Sequence, residues 1–241
     1  IIDDGDGPIQ LVFLDFDSAT EPTEIPFTQT MRDSVQQRME EDFGAFNVIF
    51  TQTQPVGDHS TVIFNQQNGL PVVPFGVVNG IAADGIDFRN LNRNDTVILD
   101  MNRIFNLLGM TPTQADFVSA NVETASHELG HAMGLRHRDS FGPMGQGVPP
   151  GLDTRLNPNY TGPMNATETD NHLMATGALT MPPLVGDSWF GAREAIKLSM
   201  YAFEGQVLSE QSGPHSLIGT AQPITLQDLT VPNLEETGVL A

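Results

Sequence analysis

Apolar positions recur along the 241-residue chain with two different periods, and the switches between them predict its elements. Residues 9–16 (IQLVFLDF) form a dense apolar run with branched and aromatic side chains, which predicts a buried strand. The period then changes to four. Phe27, Met31, Val35, Met39 and Phe43 place one apolar stripe along a helix over 28–43. Strands are predicted at 46–53 and 60–65, with Pro55 and Gly57 marking the turn between them. Residues 72–78 contain Pro74 and read as an edge strand or irregular chain, whereas 96–101 (TVILDM) reads as a good strand. Strand, helix, then several strands is the order of a layered α+β sheet with a helix on one face.

A second, longer helix has a marked start. Thr111 can serve as N-cap, Pro112 fits the first helical position and Gln114 completes a capping box. Ala115, Val118, Val122, Ala125, Leu129 and Met133 form its apolar stripe, and Gly134 supplies a left-handed stop. His127 and His131 project to the side opposite that stripe, as ligands bordering a cleft would. Residues 138–188 are rich in Gly, Pro, Asn and Asp and read as a long loop region. A final helix is expected from 189 to about 208, with Phe190, Ile196, Met200 and Phe203 near helical spacing.

Composition narrows the function. Thirty acidic residues stand against ten basic ones, a formal charge of −20, and Lys197 is the only lysine. Such a surface repels phosphate backbones and argues against a nucleic-acid partner. It suits either simple solubility or an environment rich in salt or divalent cations. Structural Ca2+ is a candidate at Asp3, Asp4 and Asp6, or at Asp15 with Asp17, where plain acidic surface is the alternative. No run reaches the eighteen or so apolar residues of a membrane span. Cysteine is absent, which rules out disulfides, thiolate metal sites and a cysteine cap from this segment. The chain opens at Ile1 without an initiator Met, and a processed piece is expected. Asn94, Asn159 and Asn165 head glycosylation sequons that matter only in a eukaryotic secretory pathway.

The chemistry lies in His127-Glu128-Leu129-Gly130-His131-Ala132-Met133-Gly134-Leu135-Arg136-His137. Two histidines four apart share one helix face and can reach one ion at roughly 2 Å. Glu128 lies beside them, where it can contact a water on the metal rather than the metal itself. Gly134 lets the chain reverse so that His137 approaches from the loop. Three neutral imidazoles leave a fourth position open, as in catalytic rather than structural zinc sites. This spacing would arise by chance in such a chain about once in 10⁵. Asp139 is a second candidate for the third ligand, and the spacing favours His137. His59 and His215 fall in loops and read as bystanders, and His172 reads as structural.

HELGHAMGLRH resembles the long zinc signature of the metzincins, and Asp170-Asn171-His172-Leu173-Met174-Ala175-Thr176 resembles their methionine-containing turn, with Met174 as its methionine. The alternative for Met174 is a loop methionine filling an apolar gap. The resemblance covers roughly 9–208. It implies a metzincin-like α+β catalytic domain: a twisted mixed sheet, two long helices above a cleft, and a mostly irregular C-terminal subdomain ending in a helix. It also implies zinc held by His127, His131 and His137, Glu128 as general base, and a protein or peptide substrate extended along the sheet's edge strand. Gly134-Leu135-x-His137 is similar to matrixins and serralysins, and the whole most resembles bacterial secreted matrixin-like peptidases, so secretion and a monomer are expected. Arg138 departs from matrixins and serralysins, Thr176 stands where astacins and serralysins carry a tyrosine ligand, and the missing cysteines fit archaemetzincins less well. The expected division is an acidic segment 1–8, a subdomain 9–137 with sheet and zinc helix, and a subdomain 138–208 with the methionine turn and last helix. Residues 209–241 would be a linker or the start of an appended domain. Two rival readings stay open: a degenerate zinc-stabilised binding module, and a zinc amidase or esterase acting on a non-protein polymer.

Overall fold

The apolar run at 9–16 becomes β1 (Gln10–Asp15), and the sheet grows on both sides of it. β2 (Val48–Thr51) and β3 (Ser60–Ile63) pair parallel to β1, and β7 (Thr96–Leu99) pairs parallel to β3. β6 (Gly80–Ala82) adds an antiparallel edge, giving the order β2-β1-β3-β7-β6. The structure, a computed structural model, describes residues 9–19, 22, 24–66, 70, 72–73, 76–77, 80–88, 90–140, 172–175 and 188–202, without the side chains of 72, 73, 76, 77, 138 and 200–202. All but Ala202 belong to the unit Ile9–Tyr201.

Alternation along the strands explains which face is covered. Val12, Leu14, Val62, Val97 and Leu99 are buried, while Leu11, Phe13, Ile63 and Ile98 between them are only half-buried. The buried face meets two helices, α1 (Gln29–Asp42) and α3 (Gln114–Ala132), which also pack on each other. On α1 the four-residue stripe is the inward face: Phe27, Met31, Val35, Met39 and Phe43 are all buried. Thr28 caps it, its Oγ1 accepting from Met31 N at 3.3 Å. The Phe16 ring stacks on Phe64 at 4.4 Å, and Phe27 lies 5.2 Å from Phe117, so aromatic contacts join sheet, helix entry and α3. This mixed sheet with helices packed on one face is the α+β arrangement that the resemblance implies.

Several local expectations need correction. Within 72–78, β4 (Val72–Val73) pairs antiparallel with β5 (Gly76–Val77) in a two-stranded sheet separate from the main sheet. The strand expected at 96–101 stops at Leu99 because Asp100 caps a further helix, α2 (Met101–Leu107), accepting from Arg103 N at 2.9 Å. The long helix is capped by Thr113, not Thr111. Thr113 Oγ1 accepts from Asp116 N at 3.2 Å while Asp116 Oδ2 accepts from Thr113 N at 3.0 Å, so Asp116 completes the box in place of Gln114. Its stripe starts later too: Ala115 is exposed and Phe117 is buried.

The last helix, α4, spans Ala192–Ala202, and Phe190 precedes it, packing 4.9 Å from Phe43. Its inward residues are Glu194 and Leu198, whereas Ile196 is exposed. Residues 203–208 of the expected helix, including Phe203, lie outside the described residues, as does most of 138–188. The pairing of Asp15 with Asp17 as a calcium site is also corrected. Asp15 Oδ1 accepts from the backbone N–H groups of Asp17 and Ser18, and Asp17 forms a two-toothed ion pair with Arg32 at 2.5 and 2.7 Å. Asp3, Asp4 and Asp6 lie outside the described residues. Among the described residues no helix is long and apolar enough to cross a membrane.

Candidate metal centre

α3 carries His127 and His131 one turn apart on one face, and the end of the helix is built to return a third histidine to them. Gly134 takes φ 95°, a conformation open to glycine, so Leu135 N–H donates to Gly130 O at 2.8 Å and Gly134 N–H to His131 O at 2.9 Å. This is a Schellman stop, and it turns the chain back along the helix it has left. A short 3₁₀ turn, His137–Ser140, follows. It is held by Asp139, which accepts from Arg136 N at 2.8 Å and from Lys197 Nζ on α4 at 2.6 Å. Asp139 is therefore buried in a structural ion pair and is not aimed at the histidines.

The three rings converge. His127 Nε2 and His131 Nε2 each lie 3.1 Å from His137 Nε2. Among the described residues this is the one group of three or more His, Asp or Glu whose ligand atoms could share an ion. Hydrogen bonds on the far side of two rings fix their tautomers. His127 Nδ1 lies 2.5 Å from Leu173 O and His131 Nδ1 lies 2.9 Å from Leu135 O. A carbonyl only accepts, so both Nδ1 atoms carry the proton and both Nε2 atoms present lone pairs. Burial, and then the neighbouring His131, push the His127 pKa down to about 3, and burial lowers that of His131.

Lone pairs in this arrangement conflict with one another. His137 Nε2 can donate to one of its two neighbours at most, so one 3.1 Å approach sets lone pair against lone pair. A cation at the centre removes that conflict. Three imidazoles binding an ion at about 2.0–2.1 Å in tetrahedral geometry need nitrogens roughly 3.3 Å apart. The donor set, the neutral state of His127 and His131 and the two 3.1 Å spacings thus fit zinc.

Glu128 is turned toward the sheet. Its Oε2 accepts from Ala82 N on β6 at 3.0 Å, and burial pushes its pKa up to about 7 against the pull of that hydrogen bond. Met174 is fully buried behind the helix: a Cβ built on Gly130 would stand 2.6 Å from its sulfur. The turn that holds Met174 is pinned from α4, where the buried Glu194 accepts from the backbone N–H groups of Gly191 and Met174. Leu173 N–H donates to Trp189 O at 3.0 Å. His172 packs against the same corner, its Nδ1 donating to Ser140 O at 2.9 Å. His59 sits in a loop, its ring 2.7 Å from Gly57 O, and His215 lies outside the described residues. Sequence reading missed Glu194 and the β6 contact to Glu128. A signal for the first existed, since Glu194 and Leu198 are four apart.

No known family profile matches the chain, and no curated protein matches it. Solved structures do resemble it in shape. Archaemetzincin from Methanopyrus kandleri aligns over 83% of this chain and 98% of its own, with 14% identity and a TM-score of 0.46. A zinc-dependent peptidase from Methanocorpusculum labreanum aligns over 78% of this chain and 98% of its own, with 13% identity and a TM-score of 0.41. Myroilysin aligns over 81% of this chain and 93% of its own, with 13% identity and a TM-score of 0.39. At these scores the likenesses are noted as such, and what the centre can do follows from its own atoms.

Proposed function

We propose that this chain is a zinc-dependent endopeptidase of the metzincin type, with His127, His131 and His137 as metal ligands and Glu128 as general base. One observation carries the reading: the Nε2 atoms of His127 and His131 each lie 3.1 Å from that of His137, with a half-buried carboxylate beside His127 on the same helix. Zinc, when bound, supplies a Lewis acid for the scissile carbonyl and a water acidic enough to ionise near neutral pH. The protein's own groups do the rest. Leu173 O and Leu135 O hold two imidazoles in the ligand tautomer. Glu128 takes the water's proton and hands it to the leaving amine. The substrate is an extended peptide lying along β6, the outer strand of the main sheet among the described residues. Secretion, a monomeric state and the matrixin-like subtype belong to the same proposal.

Digestion of casein by zinc-loaded protein, with and without chelator, tests the reading together with Glu128→Ala. The variant should keep one zinc per chain and its fold while cleavage falls about 10²-fold or more. Near wild-type cleavage by the variant, or a chain that binds no zinc, overturns it. Hydrolysis of a non-protein polymer with casein left intact would move the reading to an amidase or esterase.

A further inference from the structure

β6 is the outer strand of the sheet, and its pairing fixes which way its backbone points. Ala83 N–H donates to Thr96 O at 2.7 Å, and Ala82 stands opposite Val97. Ala82 is therefore at a non-hydrogen-bonded position of the antiparallel pair, and its N–H faces away from β7. Instead it donates to Glu128 Oε2 at 3.0 Å. The strand also makes room for the rest of that side chain. A Cβ on Gly80 would lie 2.8 Å from Glu128 Cγ, 3.3 Å from Glu128 Oε1 and 2.7 Å from Thr124 Cγ2. Thr124 is one turn before Glu128 on α3, so the two side chains form a shelf on which Gly80 rests without a side chain of its own.

We propose that Gly80 and the Ala82 amide are positioning elements for Glu128: the missing side chain lets the edge strand settle on the helix, and the amide fixes where the carboxylate faces. This rests on reading Glu128 as the group that moves the proton. A glutamate has three side-chain torsions, and a base free to sample all of them is seldom within reach of the proton it must take. In this role both residues act through Glu128 rather than on the reacting atoms.

The test uses zinc-loaded wild-type protein, Thr124→Ala, Gly80→Ala, the Gly80→Ala/Thr124→Ala double variant and Glu128→Ala. In the double variant the Thr124 obstruction is gone and the added Cβ meets Glu128 alone, which guards against a Gly80→Ala chain that fails to fold. Relative to Thr124→Ala, the double variant should lose about 10²-fold in kcat on casein with KM and zinc affinity within about twofold. A second reading needs no turnover: Ala82 N–H should exchange with solvent at least ~10-fold faster in Glu128→Ala, while Ile81 and Ala83, bonded to β7, keep their protection. Equal kcat in the double variant and Thr124→Ala overturns the inference. So does a kcat loss that comes with a matching loss of zinc affinity, or an Ala82 exchange rate indifferent to Glu128. Wild-type cleavage by Glu128→Ala is a different failure: it removes the peptidase reading itself, and the positioning role with it.

Discussion

At Met174 the sulfur fills the place where a Cβ on Gly130 would stand, 2.6 Å away, so helix and methionine turn are matched in size. Met174→Ala leaves a void beneath the two helical histidines and should lower unfolding free energy by about 2–5 kcal/mol. Urea denaturation of metal-free protein measures it, and a loss below 1 kcal/mol would show that the space collapses without cost. Glu194 sets a pH dependence at the same corner. Burial holds its pKa up to about 7, above 4.5, so the folded state binds this proton more tightly than the unfolded chain does. Its stabilising contribution is complete below about 4.5 and is lost as the pH rises through about 7. Between pH 4.5 and 8, wild type should therefore lose on the order of 2–3 kcal/mol relative to Glu194→Gln. Stability curves for the two proteins that run parallel across that range would refute it.

At the scale of elements, α3 is held at its start by a box and at its end by a glycine, and the two can be tested apart. Thr113 is exposed and its hydroxyl bonds Asp116, so Thr113→Ala removes the cap. Thermal unfolding should report a loss of about 0.5–2 kcal/mol, against no change for Thr111→Ala. That contrast also marks where the sequence could be read and where it could not. The stripe from Phe27 to Phe43 was legible because one face of a helix and its ends carries it, and the histidine spacing because two ligands share a helix face and Gly134 marks the turn that returns the third. The cap was misplaced because Thr111 and Thr113 offer the same chemistry two positions apart, and only contact with Asp116 separates them. β6 was missed because three residues carry no periodicity, and its role appears only across the 46 positions that separate Ala82 from Glu128. Ile196 and Glu194 exchanged faces because α4 buries a carboxylate where an apolar side chain was expected.

Over the whole molecule the net charge of −20 acts as a distributed strain. Repulsion within the folded chain is relieved on unfolding, and raising salt from 0.1 M to 1 M shortens the screening length from about 10 Å to about 3 Å. A relief of about 1 kcal/mol corresponds to roughly 2–4 °C in Tm for a chain of this size. Melting in 0.05–1 M sodium chloride should show at least that rise, and a flat series would leave the acidic surface as a solubility feature only.

The one lysine of the chain ties α4 to the turn behind His137, through Lys197 Nζ and Asp139. A protease that cuts only after lysine thus has a single target here, the bond to the fully buried Leu198, and would yield fragments of 197 and 44 residues. Enzymes of that kind need an unwound backbone, so the cut waits at least on the loosening of this corner. The chain carries its own reporter of local opening beside the metal centre, readable on a gel without any label.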